Sequence, residues 1–149
     1  MILSAQSIQR RQGMITPFEA RTHHEPSGCS FGLSSCGYDV RLDQAIVLRP
    51  GAFHLASTLE HFDIPADLVG TVHDKSTWAR HGLAVQNTVI EPGWRGWLTL
   101  EITNHSKRMF HLLAGTPIAQ ILFHKLDTPT MMPYNGKYQD QERGAQQPR

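Results

Sequence analysis

The sequence predicts an all-β domain preceded by one short helix. From Phe31 onward the apolar and alternating runs are short, turn residues separate them, and a helical pattern recurs internally only at Lys75–His81. In chain order, Ser4 is placed to cap a helix over Ala5–Arg11 that Gly13 ends. Met14–Phe18 then runs extended, because Pro17 disfavours helix before it. Strands are expected at Tyr38–Leu42, Ala45–Leu48, Phe53–Thr58, Val69–Val72, Leu83–Val85, Trp97–Thr103, Met109–Leu113 and Ile118–Leu126. Arg49-Pro50-Gly51, Pro65, Glu91-Pro92-Gly93, Asn104–Lys107 and Ala114-Gly115 supply hairpins and corners. The short helix at Lys75–His81 is closed by Gly82.

One domain accounts for 149 residues, here residues 1–132. The remainder, 133–149, has few apolar residues and cannot form a core, so it is expected to be a mobile arm. Its Tyr134-Asn135-Gly136-Lys137-Tyr138-Gln139-Asp140-Gln141 combines cation, aromatic faces and amides suited to closing over a ligand. A net charge of +1 without a basic stripe argues against nucleic acid as partner. Ile118–Phe123 is too short to span a bilayer, and MILSAQSIQRRQG lacks a signal-peptide core, so no membrane association and a cytoplasmic location are expected. Cys29 and Cys36 are expected to stay reduced, and nine scattered histidines without HExxH or CxxC spacing argue against a metal site.

Chemistry concentrates between Lys75 and Glu101. Lys75-Ser76-Thr77-Trp78-Ala79-Arg80 offers two cations, two hydroxyls and the free N–H groups of a helix start, the ingredients of a phosphate cradle; a solvated helix end is the alternative. In the strand after Gly96, alternation puts Trp97, Thr99, Glu101 and Thr103 on one face and Leu98, Leu100 and Ile102 on the other. A carboxylate beside apolar walls acquires a raised pKa suited to taking and returning protons, whereas a salt-bridged surface Glu would do neither.

The ordered series GLSSCGYDVRL, DKSTWARHGL, EPGWRGWLTLEITN, GTPIAQILF and KYQDQ resembles the dCTP deaminase family, a branch of the dUTPase-like β-fold. The likeness takes in nearly the whole chain, including MILSAQSIQRRQGMITPF. It implies a distorted β-barrel or β-clip assembled as a homotrimer with sites between subunits, and hydrolysis of dCTP to dUTP and ammonia. By position it implies that Glu101 is the acid/base, with Ser76 and Arg80 beside the reacting base and water. Lys75, Thr77, Trp78 and Ala79 fall in the nucleotide-binding segment, Thr99 and Leu100 match main-chain contacts, and Gln120 matches a substrate-binding glutamine. Tyr134, Lys137 and Gln141 match the arm that covers the triphosphate, and Glu91 a carboxylate near sugar and phosphates. Thr88 and Val89 fall in the turn whose carbonyl orients the attacking water. Zinc deaminases combine an HxE with a PCxxC element, a pairing absent from this sequence, which has no CxxC, so the reaction is expected to need no zinc, with Mg²⁺ arriving on the triphosphate.

The sequence departs from the family pattern in three places. It is short between Arg41 and Pro50, and Asn87 and Val89 replace residues of other types in the turn lining the base. Two other functions stay open at this point. Glu91 stands where dUTPases use Asp, which allows dUTP pyrophosphatase or bifunctional activity. A non-catalytic nucleotide-sensing module on the same scaffold is the other.

Overall fold

The computed structural model describes residues 1–149. Its elements are α1 (Ala5–Gln9), β1 (Ile15–Thr16), β2 (Thr22–His24), β3 (Cys29–Leu33), β4 (Tyr38–Arg41), β5 (Ile46–Leu48), β6 (Phe53–Asp63), β7 (Leu68–Asp74), α2 (Ser76–Ala79), β8 (Leu83–Val85), β9 (Val89–Ile90), β10 (Arg95–Asn104), β11 (Phe110–Leu112) and β12 (Pro117–Lys125). They form a six-stranded sheet ordered β2-β3-β4-β12-β7-β9, a four-stranded sheet ordered β1-β6-β10-β8, and the pair β11-β5. All strand pairs are antiparallel. The all-β class with one short N-terminal helix is therefore what the structure has.

One core joins these sheets. Val40 and Leu42 on the β4 side, Val72 of β7, Leu100 and Ile102 of β10, and Ile118, Ile121 and Phe123 of β12 are fully enclosed within it. Each such side chain withdrawn from water contributes about 1.5–3 kcal/mol. Tyr38 anchors the N-terminal segment from inside the core: its hydroxyl accepts from Glu19 N at 2.9 Å and donates to the Pro17 carbonyl at 3.3 Å. Burial pushes that phenol up to about 12.

Several elements differ from the sequence expectation. Ser4 occupies the cap position of α1, but its hydroxyl contacts Ser7 Oγ instead of a helix N–H, and the helix stops at Gln9. The hairpin β2–β3 was not expected, because its strands are largely polar; β3 holds it by pairing with β4. The edge strand β9 is only two residues long, below what periodicity can register.

Strand β6 runs five residues past Thr58, through a buried charge that masks its alternation. That charge is Glu60, fully enclosed, accepting from Arg41 Nε at 2.7 Å and from Arg41 N at 2.9 Å. Burial raises the Glu60 carboxyl, and the Arg41 bonds oppose the rise. The guanidinium also lies 4.4 Å from the centre of the Phe31 ring.

Replacing Arg41 with Met should strand the Glu60 carboxyl without a cation and destabilise the domain by about 3–5 kcal/mol. Urea unfolding followed by circular dichroism measures this, and a loss below about 1 kcal/mol would show that the pair contributes no more than an exposed ion pair does.

Candidate functional site

A cavity of about 460 Å³ opens beside β10, and Glu101 and Thr99 of that strand line it. Phe53 and Leu55 of β6 line it as well, because β6 pairs with β10 in a register that sets Leu55 opposite Glu101 and Phe53 opposite Thr103. Ile90 and Trp94 add further apolar wall. Within this setting Glu101 Oε2 is buried and has no hydrogen-bond partner. Desolvation raises the Glu101 carboxyl above its ordinary 4.5, with only the backbone N–H of Glu101 acting against it. A carboxyl of this kind is poised to exchange protons with a ligand atom, because no other residue donates to it.

The strict alternation expected along β10 fails at one point. Trp97 pairs with His61 but Thr99 pairs with Ser57, so β6 carries an excess of residues opposite Leu98. The hydroxyl of Thr58 fills the gap in the ladder, accepting from Leu98 N at 3.0 Å and donating to the Glu60 carbonyl at 2.7 Å. As a result Leu98 lines the cavity with Glu101, whereas Trp97 packs edge-on against His61 and lines a separate depression with Pro17 and Arg143. Placing Trp97 on the Glu101 face is therefore corrected: an irregular pairing, with three residues of β6 opposite Leu98 alone, breaks the alternation there.

The connection into β9 brings Thr88, Val89 and Glu91 to the same cavity. The Thr88 carbonyl accepts from Val72 N at 3.1 Å, which fixes the turn against β7. The arm covers another side with Tyr134, Tyr138 and Gln141, and its end with Gln146, Gln147 and Pro148. It lies against its own protomer through main-chain bonds: Tyr134 N to the Pro92 carbonyl at 2.8 Å and Trp97 N to the Gln141 carbonyl at 3.1 Å. Trp94 Nε1 donates to the Tyr138 carbonyl at 2.7 Å, and Gln139 Oε1 accepts from Arg95 N at 2.9 Å. Gln141 is buried, with its amide on Thr99 Oγ1, which also accepts from Gln146 N. Lys137 does not reach the cavity; its ammonium donates to the Arg149 carbonyl.

The remaining expected residues lie elsewhere on the protomer. Lys75, Ser76 and Gln120 line a second, polar cavity of about 360 Å³ at the end of β4, β12 and β7, together with Asp39 and a set of serines. Helix α2 is a single turn without a side-chain cap bond, so the longer helix expected over Lys75–His81 is not formed. Ser76, Thr77, Ala79 and Arg80 are exposed on it and line no part of the Glu101 cavity. Trp78 is a packing residue: its Nε1 donates to the Pro117 carbonyl at 2.5 Å and its ring meets Phe110 edge-on. Leu100 is fully buried, so only its main chain can meet a ligand. No three His, Cys, Asp or Glu side chains cluster closely enough to hold a metal ion, and no helix is long and apolar enough to cross a membrane.

Sequence reasoning missed Phe53, Leu55, Ile90, Trp94 and Leu98, and the arm's end at Gln146, Gln147 and Pro148, as lining residues. For Phe53 and Leu55 no local signal existed, since they reach Glu101 only through the β6–β10 register. Trp94 stood within the quoted EPGW motif and was available as an aromatic beside Glu91.

Comparison with known proteins identifies the family and the fold. A family model described as dCTP deaminase-like matches residues 37–126. A dCTP deaminase of Acidobacterium capsulatum is 33% identical over 166 aligned positions, 90% of each chain, and one of Neisseria gonorrhoeae is 34% identical over 164, 87% of each. Among solved structures, 2′-deoxycytidine 5′-triphosphate deaminase from Agrobacterium tumefaciens aligns with a TM-score of 0.66 at 18% identity, over 82% of this chain and 47% of that one. A dUTPase from phage phi11 of S. aureus aligns at 0.57 and 19%, over 67% and 82%. At these identities the structural matches establish a dUTPase-like fold.

The desolvated carboxyl has a consequence for stability. With its folded value above 4.5, Glu101 holds its proton longer when folded than when unfolded, so stability contributed by this group is greatest in acid and falls as pH rises through the folded value. Glu101→Gln should therefore melt above the wild type at pH 7.5 and lose that advantage at about pH 4. Calorimetry at both pH values tests this; a variant less stable than wild type at pH 7.5 contradicts the desolvation argument.

Proposed function

The chain belongs to the dCTP deaminase-like family, and on that premise we propose that it deaminates dCTP to dUTP and ammonia with Glu101 as the acid/base. The observation that carries this reading is the buried, unpartnered Oε2 of Glu101 in an apolar-walled cavity large enough for a pyrimidine nucleoside. In this reaction Glu101 takes a proton from water as the oxygen adds to C4 of cytosine, and passes it to N3. A second transfer through the same carboxyl protonates the exocyclic amine, which leaves as ammonia while the C4 carbonyl forms. The Thr88–Val89 turn lies beside the carboxyl and supplies main-chain groups to orient the water. Thr99 and Leu100 offer main chain to the nucleotide, and Glu91 faces the sugar and phosphates.

In our reading the working unit is a homotrimer. Ser76 and Arg80 stand apart from Glu101 within one protomer, and a neighbouring copy would supply them to the Glu101 cavity. Exposed Phe53, Val89, Val47, Met109 and Leu113 leave apolar surface for such a contact. Arg80 keeps its charge throughout and stabilises the developing negative charge at the base. Lys75 and Gln120 bind the nucleotide, Mg²⁺ enters as part of the triphosphate, and Tyr134, Lys137 and Gln141 belong to an arm that lifts to admit substrate and closes over it. The setting is cytoplasmic nucleotide metabolism, without zinc.

The test is direct. Incubation with dCTP, dCMP and dUTP in the presence of Mg²⁺ should yield dUTP from dCTP, unaffected by a zinc chelator; release of dUMP would show added pyrophosphatase work at Glu91. Glu101→Gln should lower kcat by at least about a thousandfold with dCTP binding within about tenfold, because the amide keeps the shape and loses the proton. In the wild type, kcat/KM should fall in acid with a pKa above the ordinary 4.5 of a glutamate. An acid limb at or below 4.5 assigns the proton shuttle to another group.

Shared sites make a second prediction. Glu101→Gln and Arg80→Ala proteins should each be inactive alone. Mixed and allowed to exchange subunits in equal amounts, they should regain about a quarter of wild-type turnover, since one site in four then pairs an intact Glu101 with an intact Arg80. No recovery, with exchange verified by mass spectrometry, places both residues of a site on one chain.

A further inference from the structure

Asp39 is almost fully buried, yet none of the steps above uses it. It sits in β4 directly opposite Gln120 of β12, and the next neighbour, β7, ends at Asp74 and delivers Lys75. Three strands thus bring the Asp39 carboxylate, the Gln120 amide and the Lys75 ammonium to the same end of the six-stranded sheet, where Asp74 also lines the cavity while accepting from Val85 N. The contacts follow this arrangement: Lys75 Nζ donates to Asp39 Oδ2 at 2.6 Å, and Gln120 Nε2 donates to Asp39 Oδ1 at 3.2 Å. Gln120 Nε2 also reaches Ser34 Oγ at 3.1 Å, and Ser30 Oγ touches Asp39 at 3.5 Å.

From this geometry we propose that Asp39 is a positioning residue that sets both the place of Lys75 and the orientation of the Gln120 amide in the nucleotide site. A carboxylate only accepts hydrogen bonds, so the Gln120 group facing it must be the NH₂ end. The carbonyl end, Oε1, has no protein donor and is offered to the polar cavity that Gln120 lines. Asp39 therefore makes Gln120 a hydrogen-bond acceptor toward ligand, matched to a hydroxyl or amino group and mismatched to a phosphate oxygen. The same carboxylate fixes the long Lys75 side chain, only 10% exposed, at the mouth of α2, so its rotamers need not be ordered when the nucleotide binds. Gln120 thus recognises a ligand donor, while anion binding falls to Lys75 and other groups of the site.

This inference rests on Lys75 and Gln120 belonging to the nucleotide site. Asp39→Asn keeps the volume, removes the charge, and allows the Gln120 amide to turn over. It should raise KM for dCTP about tenfold while kcat stays within about threefold, and Asp39→Glu should recover part of the loss. In a Gln120→Ala background the effect of Asp39→Asn should shrink at least about threefold, because one of its two dependants is gone. If Asp39→Asn does not fold, Asp39→Asn with Lys75→Met leaves neither charge unpaired, and its KM should exceed that of Lys75→Met alone by at least about threefold. Unchanged KM in these comparisons, with Lys75→Met and Gln120→Ala each raising it, overturns the role of Asp39 and leaves the nucleotide site intact. Unchanged KM in Lys75→Met and Gln120→Ala as well overturns both.

Discussion

The pairing of β6 with β10 is the constraint on which the site depends. Strand β10 is asked to face two ways: Leu100, Ile102 and Asn104 go into the core while Thr99 and Glu101 go to the cavity. A slip of one residue would exchange these sets, burying the carboxylate among Ile and Leu and exposing the core face. Two polar devices hold the register at either end. Near the start, the Thr58 hydroxyl closes the ladder beside Leu98. At the far end, the fully buried Asn104 donates to the Leu48 and Arg108 carbonyls and accepts from Ser106 N, tying β10 to the β5 and β11 side. The raised pKa of Glu101 is the chemical result of a register fixed elsewhere.

How much of this could be read from the chain follows from how local each signal is. Strands such as Leu83–Val85, Tyr38–Arg41 and Pro117–Lys125 stood out because their apolar residues and flanking turns are contiguous. The carboxylate Glu101 was legible from its place on a strand and from the motif around it. Part of its apolar wall was not, because Leu55 and Phe53 are brought to it across a sheet pairing nearly fifty residues away in sequence. The hidden half of β6 has the same origin: Glu60 looks like a surface residue until Arg41, from another strand, explains its burial. Trp97 illustrates the limit of periodicity, since an irregularity on the partner strand shifts the pattern without leaving any mark on its own.

Polar and apolar recognition are kept apart on the protomer. The cavity at Glu101 is walled by aromatic and aliphatic side chains and suits a flat heterocycle, whereas the cavity at Asp39 is made of hydroxyls, an amide and an ion pair. Each uses one buried carboxylate, in opposite ways. Glu101 is left without partners and so remains available for protons; Asp39 is engaged by two donors and so serves as fixed scaffold.

The arm has a second role that follows from where it lies. Strand β10 is paired by β8 only over Ile102–Asn104, which leaves the opposite edge of its first half open. Gln139 and Gln141 occupy that edge, taking the N–H groups of Arg95 and Trp97, with Gln141 bridged to Gly96 in a parallel sense. The fit is close enough that Gly96 has no room for a side chain: an added Cβ would lie 2.7 Å from the Gln141 backbone. An arm that lifts therefore uncovers bare strand edge as well as a cavity, and bare edges recruit strands from other molecules. Only Arg95, charged and exposed, then guards it. If the arm lifts as proposed, self-association at this edge would limit the time spent open, a pressure independent of catalysis.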